Sequence, residues 1–408
     1  MEKELRTLIH RGRPIGPRFL RYRTKEETAA MTEQELILFF EDLHRHPELG
    51  LKETRTTARV ASALAAAGIP CFPLGLETGL IAVIEGQKPG RTIGLRADMD
   101  ALPIQEETGL PYASQTPGVM HACGHDFHTA CMLGAALLLK EREQELAGAV
   151  KIVFQPAEEI SKGGVVAAAS PLLADCREFY AGHVYPGFPA GTLGIRPGPV
   201  MAAPDYFTIR VIGKGAHGGN PHQGVDPLPA AAAMILAAQS LITRRKDAFE
   251  PAVLSFCHVQ AGSAWNIVPD EALLEGTLRT LDDQLRRDTM GRLDIMARGI
   301  AQAHGCDCEI TWQVGPDPVV NDAALVREAE KIAREMGFAV KLQANTMGGE
   351  DFSEYLKICP GAFIRIGTGG GYTNHHPRFQ ADEKALWPAA RFFARLAMER
   401  AAREGEGV

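Results

Sequence analysis

Short apolar runs that end in charged or metal-ligating residues constrain this chain more than any other feature. Residues 92–95 run directly into Arg96-Ala-Asp98-Met-Asp100-Ala-Leu-Pro103. Residues 150–154 run into Gln155-Pro-Ala-Glu158-Glu159, and residues 178–184 carry His183 near their end. Short apolar runs bounded by Gly, Pro or charged residues read as fully buried strands. Open α/β sheets keep their sites at the ends of such strands. Apolar residues at helical spacing mark helices over 32–44, 53–67, 129–140, 323–336 and 385–403. The mixture predicts an α/β catalytic domain with ligand-type residues gathered at one edge of its sheet.

The densest of those residues lie in His121-Ala-Cys123-Gly124-His125-Asp126-Phe-His128, just before a helical run. A cysteine and a histidine one residue apart place a thiolate and an imidazole within reach of one divalent cation or a close pair. Gly124 lets the backbone fold tightly between them. The bland reading of the stretch is a helix entrance, with Asp126 as the cap and Cys123 an inert buried thiol. Adjacent carboxylates such as Glu158 and Glu159 repel unless cations are near. Beside metal ions, one can ligate while the other takes a proton from water. A further glycine-rich stretch, Gly367-Thr-Gly-Gly-Gly-Tyr-Thr-Asn374-His375-His376-Pro377, lacks the spacing of a phosphate loop and reads as a loop that carries His375.

The 408 residues are long enough for two domains. Composition changes near Arg196-Pro-Gly-Pro-Val-Met-Ala-Ala-Pro204, a segment suited to a hinge. After it come a strand (206–212), a helix (228–244), two strands (253–260 and 272–278), a helix (283–303) and a strand (307–314). That order is the split βαβ of ferredoxin-like domains. The expected organisation is an N-terminal extension at 1–30, a catalytic domain at 31–200 and 315–408, and a separate ferredoxin-like module inserted at 201–314. A net charge of -7 argues against nucleic-acid or anionic-membrane partners. Eight scattered cysteines suggest neither a zinc ribbon nor a disulfide framework. With no signal-peptide pattern and no membrane-length apolar run, a cytoplasmic location is expected.

Collected, the candidate metal ligands are Cys123, His125, Glu159, His183 and His375, a set that exceeds one tetrahedral zinc and suits two cations sharing a bridging group. Cysteine favours zinc, whereas histidine and carboxylate also accept manganese, cobalt or nickel. These stretches, with Gly-Ala-His217-Gly, Asn266-Ile-Val-Pro and His375-His-Pro, resemble the M20 metallopeptidases, specifically the amidohydrolase branch of aminoacylases, hippurate hydrolases and auxin-conjugate hydrolases. The resemblance spans roughly residues 35–397. It implies a zinc-peptidase-like α/β catalytic domain interrupted by a lid or dimerisation domain at 201–314, with those five residues holding two metal ions and Glu158 as the general base. Asp98 and Asp100 would support the ligands from behind. It further implies that His217 reaches the reacting carbonyl in a partner subunit's site, that Asn266 and Arg279 hold the substrate carboxylate, and that the protein forms a homodimer or larger homo-oligomer. The implied reaction is metal-dependent hydrolysis of an N-acyl amino acid; the alternative is a metallo-dipeptidase or carboxypeptidase using the same site.

Overall fold

The computed structural model describes residues 31–403; the expected extension at 1–30 lies outside them. The described residues divide into two compact units, 31–198 with 320–344 and 354–403, and 199–319 with 345–353. The segment Asn345–Ser353, which the sequence groups with the first unit, therefore clusters with the second.

The first unit is built on an eight-stranded sheet. In chain order its strands are β1 (Cys71–Pro73), β2 (Leu80–Glu85), β3 (Lys88–Asp98), β4 (Ala147–Gln155), β5 (Cys176–Tyr185), β6 (Thr192–Ile195), β7 (Ala339–Leu342) and β8 (Gly361–Gly367). Across the sheet they run β1-β2-β4-β3-β5-β8-β6-β7. The inner strands β4, β3, β5 and β8 are parallel. β2 pairs antiparallel with β4 on one side, and β6 antiparallel with β8 on the other. Parallel strands must be covered on both faces, so β8 is buried along its whole length and β4 along nearly all of it.

The helix His125–Glu141 lies on this sheet and is apolar almost all round, as a helix enclosed by its neighbours must be. Beside it packs Leu386–Ala401, fastened to β5 by a buried pair in which Arg400 donates from Nε to Glu178 Oε2 at 2.8 Å. The entry helix Glu33–Arg45 begins at a reciprocal cap. The Thr32 hydroxyl accepts from the Glu35 N–H at 3.3 Å, and the Glu35 carboxylate accepts from the Thr32 N–H at 2.8 Å.

The second unit holds a four-stranded antiparallel sheet in the order Ala252–Ala261, Glu271–Thr280, Ala203–Ile212, Asp307–Gln313. Helices Pro227–Arg244 and Asp283–Ala303 pack on it through Ala230, Met234, Ala238, Leu293 and Ala297 against Phe207, Ile209 and Val211. A second small ribbon pairs Ala216–His217 with Ile267–Val268. The segment expected to be a hinge is largely extended: Gly198–Met201 is a strand, and the next strand starts at Ala203.

Candidate metal centre

The site lies where the parallel strands of the first unit end. β3 finishes at Asp98, β4 at Gln155, and β5 carries His183 near its C-terminal end. The chain reaches Cys123 just before the ligand-bearing helix, whose first residue is His125. Gly124 precedes it in the left-handed region at φ 85, and a Cβ there would lie 2.4 Å from the Val184 side chain, so only glycine fits this turn.

The candidate ligand atoms of Cys123, His125 and His183 all lie within 4.8 Å of one another, as do those of Cys123, Glu159 and His375. Cys123 Sγ sits 3.4 Å from His183 Nε2. Glu159 Oε1 lies 3.8 Å from His125 Nε2 and 3.4 Å from His375 Nε2. His375 is held there by its own N–H, which donates to Ala122 O at 2.8 Å, and it adopts a left-handed φ of 66, a strained conformation of the kind that clusters at functional sites. Asn374, to which its sequence context gives no role, donates from Nδ2 to Cys123 O at 3.2 Å and so ties the glycine-rich loop to the cysteine turn.

Hydrogen bonds fix which ring nitrogens face the centre. Asp100 accepts from His125 Nδ1 at 3.2 Å, leaving the His125 Nε2 lone pair to point inward. His183 donates from Nδ1 to Val184 O at 2.8 Å, with the same consequence. His128 differs: Nδ1 donates to Asp98 Oδ1 at 2.5 Å, and Nε2 accepts from the Val184 N–H at 2.8 Å, so neither nitrogen is left for a ligand. Asp98 also accepts from Arg96 Nη1 at 2.5 Å. Asp100 takes the N–H groups of Glu158 and Glu159 at 3.1 and 3.0 Å. Asp100 therefore braces His125 and the Glu158–Glu159 turn together, while the Asp98 carboxylate bonds His128 and Arg96 and places Oδ2 3.8 Å from His125 Nε2.

The donor set fits divalent cations. His125 Nε2 and Glu159 Oε1 are buried and make no hydrogen bond, which is costly unless something else satisfies them. Burial, with the Glu159 charge adding to it, pushes the Cys123 thiol up to about 12. Without a cation the sulfur stays protonated, and a bound cation would make it a thiolate donor. Burial also holds the His183 imidazole well below the usual histidine range, leaving it neutral as a ligand must be.

The other expected residues lie in the second unit. His217 and Asn266 are exposed and belong to the two arms of the small ribbon, where the Gly218 N–H donates to Asn266 O at 2.7 Å. Arg279 is half-buried on the strand Glu271–Thr280. Its Nε donates to Thr277 Oγ1 at 2.8 Å and its Nη2 to Tyr206 Oη at 3.0 Å, with the guanidinium 5.1 Å over the tyrosine ring. Sequence reasoning also misses a buried group behind the ligand helix. His44 there bonds Asp126 Oδ2 at 2.6 Å and Glu106 Oε1 at 3.3 Å. Its leucine-rich helical surroundings give no signal of those partners, which are far off in the sequence.

Known proteins with similar sequences and folds bear on this centre. The sequence matches peptidase family M20/M25/M40 over residues 94–399. It is 42% identical over 364 residues to N-acetylcysteine deacetylase of Bacillus subtilis, covering 89% of this chain and 96% of that protein. It is 36% identical to thermostable carboxypeptidase 1 of Saccharolobus solfataricus, over 88% of this chain and 93% of that one. The crystal structure of the Bacillus subtilis protein YXEP, described as a dinuclear metal-binding peptidase of family M20, superimposes with a TM-score of 0.82 at 39% identity, covering 90% of this chain and 98% of that one. Motifs, strand-end geometry and these similarities agree: the chain belongs to the M20 peptidase family.

Proposed function

We propose that the protein hydrolyses the amide bond of N-acyl amino acids, releasing a carboxylic acid and the free amino acid. One observation carries the reading: donors from four separate stretches gather around Cys123, where the buried atoms His125 Nε2 and Glu159 Oε1 make no hydrogen bond. The relative named N-acetylcysteine deacetylase gives the substrate class.

Cys123, His125, Glu159, His183 and His375 would hold two divalent ions, zinc or manganese, with cobalt and nickel also compatible with the donors. When bound, such a pair acidifies water and polarises a carbonyl. The chain's own residues do the rest. Glu158 takes a proton from the attacking water as its oxygen bonds to the amide carbon. His217 donates to the developing oxyanion, a contribution of about 3–4 kcal/mol for a well-placed donor. The carbon–nitrogen bond then breaks as Glu158 passes its proton to the leaving amine. Asn266 and Arg279 receive the substrate carboxylate, for which a guanidinium offers two parallel hydrogen bonds. Asp98 and Asp100 keep the ligands oriented.

The β-α-β-β-α-β order of the second unit and its sheet order support a ferredoxin-like lid and dimerisation domain over 201–314, inserted into a catalytic domain of 31–200 and 315–408. The proposed form is a cytoplasmic homodimer or larger homo-oligomer. All eight cysteines are unpaired, and no helix among the described residues is long and apolar enough to cross a membrane. A second reading, a carboxypeptidase acting at the same centre, is favoured by the Saccharolobus relative.

Release of free amine from N-acetyl-L-cysteine, N-acetyl-L-methionine and N-benzoyl-glycine, compared with unblocked dipeptides, separates the two. Faster turnover of the acylated substrates is expected. Preference for free dipeptides would install the second reading, and no turnover of either class would sink both.

A further inference from the structure

The turn that presents Glu158 and Glu159 is held by a carboxylate with no assigned role. Glu53 is the N-cap residue of the helix Thr54–Ala66, yet its side chain does not cap that helix. Glu48 serves instead, accepting from the N–H groups of Arg55 and Thr56 at 3.0 and 2.8 Å. The Glu53 carboxylate turns inward, is 0% exposed, and accepts from the Ala157 N–H through Oε1 at 2.9 Å and from the Thr78 hydroxyl through Oε2 at 2.8 Å.

Ala157 is the residue on which the turn pivots. It is a buried alanine in the left-handed region, at φ 56, where a residue with a Cβ persists only if its surroundings hold it. Space on its far side is closed: a Cβ at Gly50 would come within 3.2 Å of Ala157 Cα. The next two N–H groups, of Glu158 and Glu159, go to Asp100. Three consecutive backbone donors are thus collected by two buried carboxylates from different parts of the chain. The bond to Glu53 sets the pivot, and the two to Asp100 fix the pair of glutamates beyond it.

We infer that Glu53 is a positioning residue for the reaction: by holding Ala157 in its left-handed conformation it aims Glu158 at the attacking water and Glu159 at the cations. The inference rests on the roles proposed above for those two glutamates. Hydrogen bonds of this supporting kind, when removed, lower metal affinity or activity by about 10- to 100-fold.

Reach and charge separate this role from a structural one. Glu53→Gln keeps an acceptor at the right distance from the Ala157 N–H, whereas Glu53→Asp keeps the charge but falls one methylene short. Both are made in the full chain with metal bound, beside Glu53→Leu, Thr78→Val and Glu158→Ala, and kcat, KM, metal content and Tm are measured for each. The expected result is a kcat reduced about 10- to 100-fold in Glu53→Asp and Glu53→Leu with little change in KM, near-normal kcat in Glu53→Gln, and a smaller loss in Thr78→Val. If Glu53→Leu does not fold, the Asp, Gln and Thr78 variants still decide. Wild-type kcat with only a lowered Tm, or loss in Gln with retention in Asp, overturns the inference. An inactive Glu158→Ala beside a fully active Glu53→Asp sinks this inference alone; an active Glu158→Ala sinks the general-base reading with it.

Discussion

The metal centre and the ribbon bearing His217 and Asn266 carry the two halves of the proposed chemistry and are built in opposite ways. At the centre His125, His128, Asp98 and Asp100 are all buried, and each bonds another member of the group or the backbone beside it. On the ribbon His217 and Asn266 are exposed, and neither side chain is enclosed by the two-residue pairing of its arms or by the backbone hydrogen bond from the Gly218 N–H to Asn266 O. Ions and protons demand donors fixed to fractions of an ångström, and burial with cross-bracing supplies that. Residues that meet a substrate, and in this reading another subunit, must stay accessible. The contrast predicts that substitutions at the centre disturb metal content or kcat, while those in the second unit leave the metals in place.

The largest effect is expected at Glu158. Its replacement by alanine should lower kcat about 10²- to 10⁴-fold with metal content unchanged, since a general base contributes in that range. Elemental analysis beside steady-state kinetics checks both halves. His217→Ala should cost about 10²- to 10³-fold in kcat, also with full metal content; loss of metal in that variant would break the division drawn here. Asp100→Leu removes the acceptor for His125 Nδ1 and for two backbone donors at once, and should reduce metal affinity or activity about 10- to 100-fold, read by titration of the metal-free protein.

The candidate ligands of the proposal can be picked out of the sequence because each is a residue type with few other uses, and several stand where a buried strand ends or a helix begins. His183 at the end of β5 and the Cys123-Gly-His125 turn are of that kind. What cannot be read is which neighbours are bystanders. His128 is as ligand-like as His125 in the sequence, and only the Val184 N–H on its Nε2 removes it from the set. Glu53 reads as an ordinary acidic helix start, because its partner Ala157 is 104 residues away. In the fold, β3, β4 and β5 announce themselves as apolar runs, whereas β6, equally buried, is only four residues long and follows a Pro/Gly-rich turn, so it is not read. Nor is β7: its residues are mostly exposed, Leu342 at 71%, so no alternation marks it.

Smaller effects sharpen the comparison. Arg279→Lys should raise KM about tenfold for N-acyl amino acids, because one ammonium replaces a two-pronged contact, and should leave KM unchanged for the corresponding amides. The His44 group behind the ligand helix should register in stability rather than turnover. Burial alone would depress its pKa, but Asp126 and Glu106 outweigh it and push it up to about 9. The folded value lies above the unfolded one, so the stabilisation is complete below about pH 6.5 and is lost as pH rises through about 9. The difference amounts to about 3 kcal/mol. Denaturant titrations between pH 6 and 10 should show that decline in the wild type and a flatter profile in His44→Gln.

The most direct test of the central claim is metal content per folded chain, measured on protein purified without chelator and on a Cys123→Ala/His375→Ala variant whose circular dichroism matches the wild type. About two divalent ions are expected per wild-type chain, with occupancy clearly reduced in the variant. Wild-type protein that holds no divalent ion when equilibrated with zinc or manganese, or a variant that binds them as fully as the wild type, would contradict that claim.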